Sequence, residues 1–179
     1  QKLLISNSDI KFNNVGFKYE SINEKAINNI SFKIKGNTMT AFVGHSGAGK
    51  STIINLLPRF YDPQEGSIEI DNQNICNVSL RSLRKNLSMV SQDVILFDDS
   101  IKNNIAYAKE SASNEDIINA CKFAAADEFI EKLPKGYDTL VGENGVRLSG
   151  GQKQRISIAR AFLKESPICL LYTSPSPRD

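Results

Sequence analysis

The chain has 179 residues, 40% of them hydrophobic, a size that fits one globular domain. Its 22 basic and 20 acidic residues are spread along the sequence and leave a formal charge of +2, so no polybasic block marks a nucleic-acid or lipid-headgroup surface. No apolar run approaches the ~20 residues that span a bilayer.

Alternating apolar residues in Ile10–Phe12, in Val15–Tyr19 and again in Ile30–Ile34 predict half-buried antiparallel strands, with a polar turn before the last of them. Met39–Val43 is a short, nearly apolar run that stops at Gly44, the pattern of a buried strand feeding a glycine-rich loop. A helix is expected to begin near Lys50. Apolar residues recur at helical spacing from Ser79 to Lys85 and from Asn114 to Lys132, with Ser113 or Asn114 as N-cap of the second stretch. The order of strand, loop and helix followed by a mainly helical stretch predicts an α/β core with a helical subdomain.

Gly44-His45-Ser46-Gly47-Ala48-Gly49-Lys50-Ser51 fits G-x-x-x-x-G-K-[ST] between a predicted strand and a predicted helix. Gly44, Gly47 and Gly49 let backbone N–H groups turn inward around phosphate oxygens, and the positive end of the following helix adds to that field. Lys50 can place its ammonium near the β- and γ-phosphates, and the Ser51 hydroxyl can ligate Mg2+. His45, the only histidine, is read as a residue of the cradle and not as a ligand or base. Thr52 extends the same binding stretch.

Leu148-Ser149-Gly150-Gly151-Gln152 opens another predicted helix, with Ile156, Ile158, Ala159, Ala161 and Phe162 as its apolar face. Ser149 and the two glycine N–H groups could bind a second anion at that helix start; read alone, the same residues could equally be a capped turn. Cys76, Cys121 and Cys169 are too widely spaced for a metal site, and their odd number points to reduced thiols in a cytosolic setting. Gln1 is not an initiator methionine and no leader follows it, so the true start is expected to lie upstream or to have been trimmed.

The pair of motifs, a phosphate loop at Gly44–Ser51 and an LSGGQ signature at Leu148–Gln152, resembles the nucleotide-binding domains of ABC transporters over nearly all of residues 9–168. The resemblance implies a P-loop (RecA-like) α/β core with an antiparallel β edge and an inserted helical subdomain. On this reading, residues 1–168 are a partial ATP-binding domain, with a core over about 9–92 and a helical subdomain over about 93–165. ATP and Mg2+ are the implied cofactors. Tyr19 resembles the aromatic residue on which adenine stacks, and Gln92 resembles the Q-loop glutamine that reaches Mg2+ and the attacking water and senses the membrane domain.

Ser149, Gly150, Gly151 and Gln152 would meet the ATP held by a second, head-to-tail domain, whose closure would drive transport. Thr139–Gly145, with Glu143, resembles the X-loop of ABC exporters, a segment that touches the transmembrane domain. Phe60-Tyr61-Asp62-Pro63 and Asn103–Tyr107 resemble the lipid-flopping and multidrug exporter branch, in which membrane and ATPase domains share one chain. The implied partners are therefore a second nucleotide-binding domain and a transmembrane domain upstream in the same chain, on the cytoplasmic face of a membrane, with no nucleic acid.

After Ile168 the family pattern continues with a strand ending in Asp-Glu, the Mg2+ aspartate and the general base; here Tyr172 and Thr173 stand in those places. Both are neutral at pH 7 and cannot replace carboxylates, so the chain is expected to bind ATP without hydrolysing it and to be incomplete at the C-terminus. Cys169–Asp179 resembles one translated frame of a transposase sequencing adapter, so the native sequence is expected to end at Ile168. A non-hydrolysing regulatory module is the alternative function. A DNA-repair or chromosome-organising ATPase is more remote, since no sustained heptad pattern separates Lys50 from Ser149.

Overall fold

The computed structural model describes residues 1–21 and 23–172, which form two compact units meeting in sequence between Leu87 and Ser88. The first unit is built on a four-stranded sheet of order β2-β1-β3-β4, with β1 at Ile10–Phe17, β2 at Ile27–Ile34, β3 at Glu65–Ile70 and β4 at Gln73–Asn74. All three pairings are antiparallel. The two apolar segments predicted within residues 10–19 form one strand. Phe12 pairs with Phe32 and Val15 with Ile30, so Asn13 and Asn14 lie opposite Ser31 in a β-bulge. The extra residue resets the alternation, so Phe12 and Val15 are both buried despite their odd spacing. Asn14 sits at φ 48°; its N–H donates to Ser31 Oγ at 2.8 Å, and that hydroxyl donates back to Asn14 Oδ1 at 2.9 Å.

Helix α1, Lys50–Leu56, follows the glycine loop, and α2, Leu80–Lys85, is capped by Ser79, whose side chain accepts from the Ser82 N–H. The core of this unit gathers Ile10, Phe12, Val15, Ile68 and Ile70 from the sheet with Leu56, Leu57, Ile75 and Leu83.

The buried strand expected at Met39–Val43 is not formed. This run has no ladder partner among the described residues, and Met39 and Val43 are 98% and 92% exposed. An apolar run becomes a strand only when neighbouring backbone supplies N–H and C=O partners, and the two described sheets use other segments.

The second unit opens within β5, Leu87–Val90, which pairs with β6, Ile168–Leu171; beyond β6 the Tyr172 N–H donates to Val90 O at 2.8 Å. Between these strands lie α3 (Ile101–Ala106), α4 (Asn114–Phe123), α5 (Asp127–Ile130) and α6 (Gly150–Leu163), with α6 packed on α3 and α4. Ile101, Ile105, Ile117, Cys121, Ile130, Val141, Ile156 and Leu163 form the core between them. Ser113 is the N-cap of α4, in a reciprocal capping box with Asp116.

The single helical stretch expected from Asn114 to Lys132 is broken. Ala125 takes φ 51°, and the Ala126 N–H closes back on Cys121 O at 2.8 Å before α5 restarts. The expected apolar face of α6 is also narrower than its sequence suggests. Ile156, Ala159 and Leu163 are buried, whereas Phe162 is 44% exposed and stacks on Phe123 with ring centroids 4.0 Å apart.

Candidate functional site

In the first unit the glycine loop leads directly into α1. Gly49 is the N-cap, at φ 81° and ψ 5°, a left-handed conformation that favours glycine. A Cβ there would also stand 2.7 Å from Ala26 O and 2.8 Å from Ile27 Cδ1. Lys50 folds back over the loop it follows, where its Nζ donates to Gly44 O and, at 2.8 Å, to His45 O. His45 Nδ1 lies 2.8 Å from Ser46 O, so this ring is engaged with its own loop. Gly44 through Ala48 and Ser51 are exposed, and the first turn of α1 carries no acidic residue.

These features fit a polyphosphate: an accessible glycine cradle, an ammonium at its centre, an exposed hydroxyl and no competing carboxylate in the helix turn that faces it. Lys50 would hold the phosphates and Ser51 the Mg2+, which would neutralise charge on them.

The third component is aromatic. Tyr19, half-buried, meets Phe17 edge-on at 4.8 Å between centroids and Tyr61 edge-on at 5.2 Å, while Phe17 and Tyr61 lie 5.3 Å apart. Its hydroxyl is 3.1 Å from the hydroxyl of Thr52, which is 4% exposed on α1. The structure thus brings Tyr19 together with the helix that carries Lys50 and Ser51. Sequence reasoning did not foresee that Thr52 would join them through its side chain, nor that Tyr61 would complete the ring cluster.

In the second unit Gln92 is exposed and lines a surface depression of about 370 Å³ with Asp93, Val94, Ile95, Asn144, Gly150 and Lys153. This brings Gln92 close to the start of α6 and to the neighbour of Glu143. Glu143 is exposed in a short 3₁₀ turn whose Asn144 takes φ 50°, and Lys153 Nζ donates to Asn144 O at 2.9 Å, tying the turn to α6.

Ser149 caps α6: its Oγ accepts from the Gln152 N–H at 3.3 Å, and Gln152 Oε1 accepts from the Ser149 N–H at 2.9 Å. A Cβ on Gly150 or Gly151 would meet no atom of the described residues within 4 Å. Two helix-weakening glycines in this helix turn have no steric cause among the described residues. Tyr172 follows β6, and Thr173 lies outside the described residues.

A second feature missed from sequence is the clasp around Arg160. Its guanidinium donates to Asn104 O at 2.6 Å, Asn104 Oδ1 at 2.6 Å and Ile95 O at 2.7 Å, and lies over the Phe97 ring. It joins α6 to α3 and to the segment that follows Gln92. An arginine set between Ala159 and Ala161 beside buried helix positions was the available signal.

Residues 27–171 match the family described as ABC transporter. The chain belongs to the ABC transporter family. It is 53% identical over 171 residues to the ATP-dependent lipid A-core flippase of Legionella pneumophila (strain Paris), covering 96% of this chain and 29% of that protein. It is 51% identical over 172 residues to ABC transporter B family member 2 of Dictyostelium discoideum, covering 96% of this chain and 12% of the relative.

Among solved structures, a bacterial Atm1-family ABC exporter with ATP bound superposes with a TM-score of 0.92 at 48% identity, covering 95% of this chain and 30% of that one. The mixed α/β fold is therefore that of an ABC exporter's ATP-binding domain. The chain spans under a third of the flippase relatives. No helix among the described residues is long and apolar enough to cross a membrane.

Proposed function

We propose that this chain binds Mg-ATP on Tyr19 and on Gly44, His45, Ser46, Gly47, Ala48, Gly49, Lys50, Ser51 and Thr52, as part of the ATP-hydrolysing domain of an exporter. The observation that carries this reading is the Lys50 ammonium held over an exposed glycine loop whose following helix is joined to an aromatic platform through Thr52 and Tyr19. Base stacking on an aromatic ring contributes ~1–3 kcal/mol, and the lysine contributes a charge-assisted hydrogen bond of ~1.5–3 kcal/mol.

The unobstructed glycines of the capped α6 turn support a second role, in which Ser149, Gly150, Gly151 and Gln152 meet the nucleotide of another copy of the domain. Gln92 serves Mg2+ and, with Glu143, faces a transmembrane domain carried by the same parent chain. The parent is a membrane exporter whose ATP-binding domains lie on the cytoplasmic side, and binding energy favours the closed pair over the open one.

The experiment is equilibrium binding of Mg-ATP to the chain and to Lys50→Ala. Binding that is lost in the variant supports the assignment; equal affinity overturns it. A second reading, a module that binds nucleotide without turnover, holds if Tyr172 is native, because a phenol at that place cannot act as a carboxylate. Phosphate release above the Lys50→Ala background would refute that reading.

A further inference from the structure

The sequence Arg59-Phe60-Tyr61-Asp62 has no part in the function proposed above, yet its geometry is highly constrained. Helix α1 ends when Arg59 adopts φ 53°, a left-handed conformation unusual for a residue with a Cβ. The Arg59 N–H then closes on Leu56 O at 3.1 Å and the Phe60 N–H on Asn55 O at 3.2 Å, the paired bonds of a helix C-cap. The Arg59 guanidinium compensates for the backbone cost. It donates to both carboxylate oxygens of Asp62, at 2.6 and 3.3 Å, and to Ile75 O and Val78 O at 3.1 and 3.2 Å. The same guanidinium holds the Asp62 carboxyl below the usual carboxylate range.

The turn is therefore clamped on both sides of Tyr61, and the clamp delivers that ring edge-on against Tyr19 and tilted against Phe17.

We propose that Tyr61 is a positioning residue that, with Phe17 and the Thr52 hydroxyl, fixes the Tyr19 ring as the platform for the nucleotide base. This rests on the reading of Tyr19 as the base-stacking residue. A ring free to rotate loses orientation on binding, and one already held on two edges and at its hydroxyl does not. Tyr61 thus acts on base recognition through Tyr19 and has no role in gripping the phosphates.

The test titrates Mg-ATP and magnesium tripolyphosphate into the 179-residue chain and into Tyr61→Ala, Tyr61→Leu, Tyr61→Phe, Tyr19→Ala and the Tyr19→Ala/Tyr61→Ala double variant. Aromatic pair energies set the expected loss of ATP affinity in Tyr61→Ala at roughly two- to tenfold. Tripolyphosphate affinity stays at the parent value, Tyr61→Phe restores ATP binding, and the double variant binds ATP no more weakly than Tyr19→Ala. Tyr61→Leu keeps apolar bulk, so it reports the loss of the ring if the alanine variant does not fold.

Unchanged ATP affinity in both Tyr61→Ala and Tyr61→Leu overturns the inference. An equal loss for ATP and tripolyphosphate, or losses that add fully in the double variant, overturns it too. In each of these cases Lys50→Ala still abolishes ATP binding. If Lys50→Ala binds both ligands like the parent, the nucleotide site itself is refuted.

Discussion

Replacing Arg160 with alanine is expected to destabilise the helical unit by about 2–4 kcal/mol. The guanidinium makes three hydrogen bonds of 2.6–2.7 Å to Asn104 and Ile95, and hydrogen bonds from a charged donor contribute roughly 1.5–3 kcal/mol each. The full sum is not lost. Ile95 is 67% exposed, so water can replace the arginine at its carbonyl. Asn104 is 1% exposed, but its Oδ1 still accepts from the Phe97 N–H at 2.9 Å and its Nδ2 still donates to Phe97 O and Ser100 O at 3.0 Å.

Burial pushes the Arg160 pKa down, yet a guanidinium stays charged at any working pH. Arg160→Lys keeps the charge but cannot span three acceptors with one ammonium, so it should recover less than half of the loss. Urea unfolding measures the free energy, and amide exchange at Phe97 reports whether the segment after Gln92 is released. A loss under about 0.5 kcal/mol, with Phe97 exchange unchanged, would refute the clasp as a source of stability.

Gly151→Ala is expected to raise the urea midpoint of the chain, by up to about 1 kcal/mol in stability, because alanine is the better helix residue and its methyl meets no atom of the described residues; a lower midpoint would show a backbone demand at that position. Asp71 should make the first unit acid-sensitive. Burial pushes its carboxyl up, but N–H donors from Ser6, Asn7, Ser8 and Asp9 at 2.7–3.1 Å outweigh it, and the net pKa is lowered from 3.8. A carboxylate with a depressed folded pKa contributes its full stability above the unfolded value and loses it as pH falls through the lower folded one. Stability attributable to Asp71 should therefore hold at pH 7 and fall below about pH 4. Asp71→Asn should flatten that acid dependence in urea unfolding at pH 7 and pH 3, and an unaltered slope would remove Asp71 as its cause.

The features legible in the sequence are those whose physics is local. The Gly44–Ser51 loop could be read because left-handed turns, inward N–H groups and a following helix are all encoded within a few residues. Ser113 and Ser149 act as caps for the same reason, since each reaches an N–H only three residues away. Reading failed where the deciding partner is distant or the signal is a non-glycine residue at positive φ. Ala125 and Arg59 end helices in left-handed conformations without a glycine to announce it. Strand β3 has only the short alternation of Ile68 and Ile70 to mark it, and its place depends on pairing with β1 far upstream. Met39–Val43 has the composition of a strand but no described ladder partner.

The same division runs through the candidate site. The phosphate loop is contiguous, whereas the aromatic platform is assembled from Tyr19 in the β-edge segment, Thr52 on α1 and Tyr61 on a turn clamped by an ion pair. In the proposed function the phosphate half of the site is therefore legible from the motif alone, whereas the base half would depend on whether the remote turn is in place. This is why the ATP and tripolyphosphate titrations should separate when Tyr61 is removed and move together when Lys50 is removed.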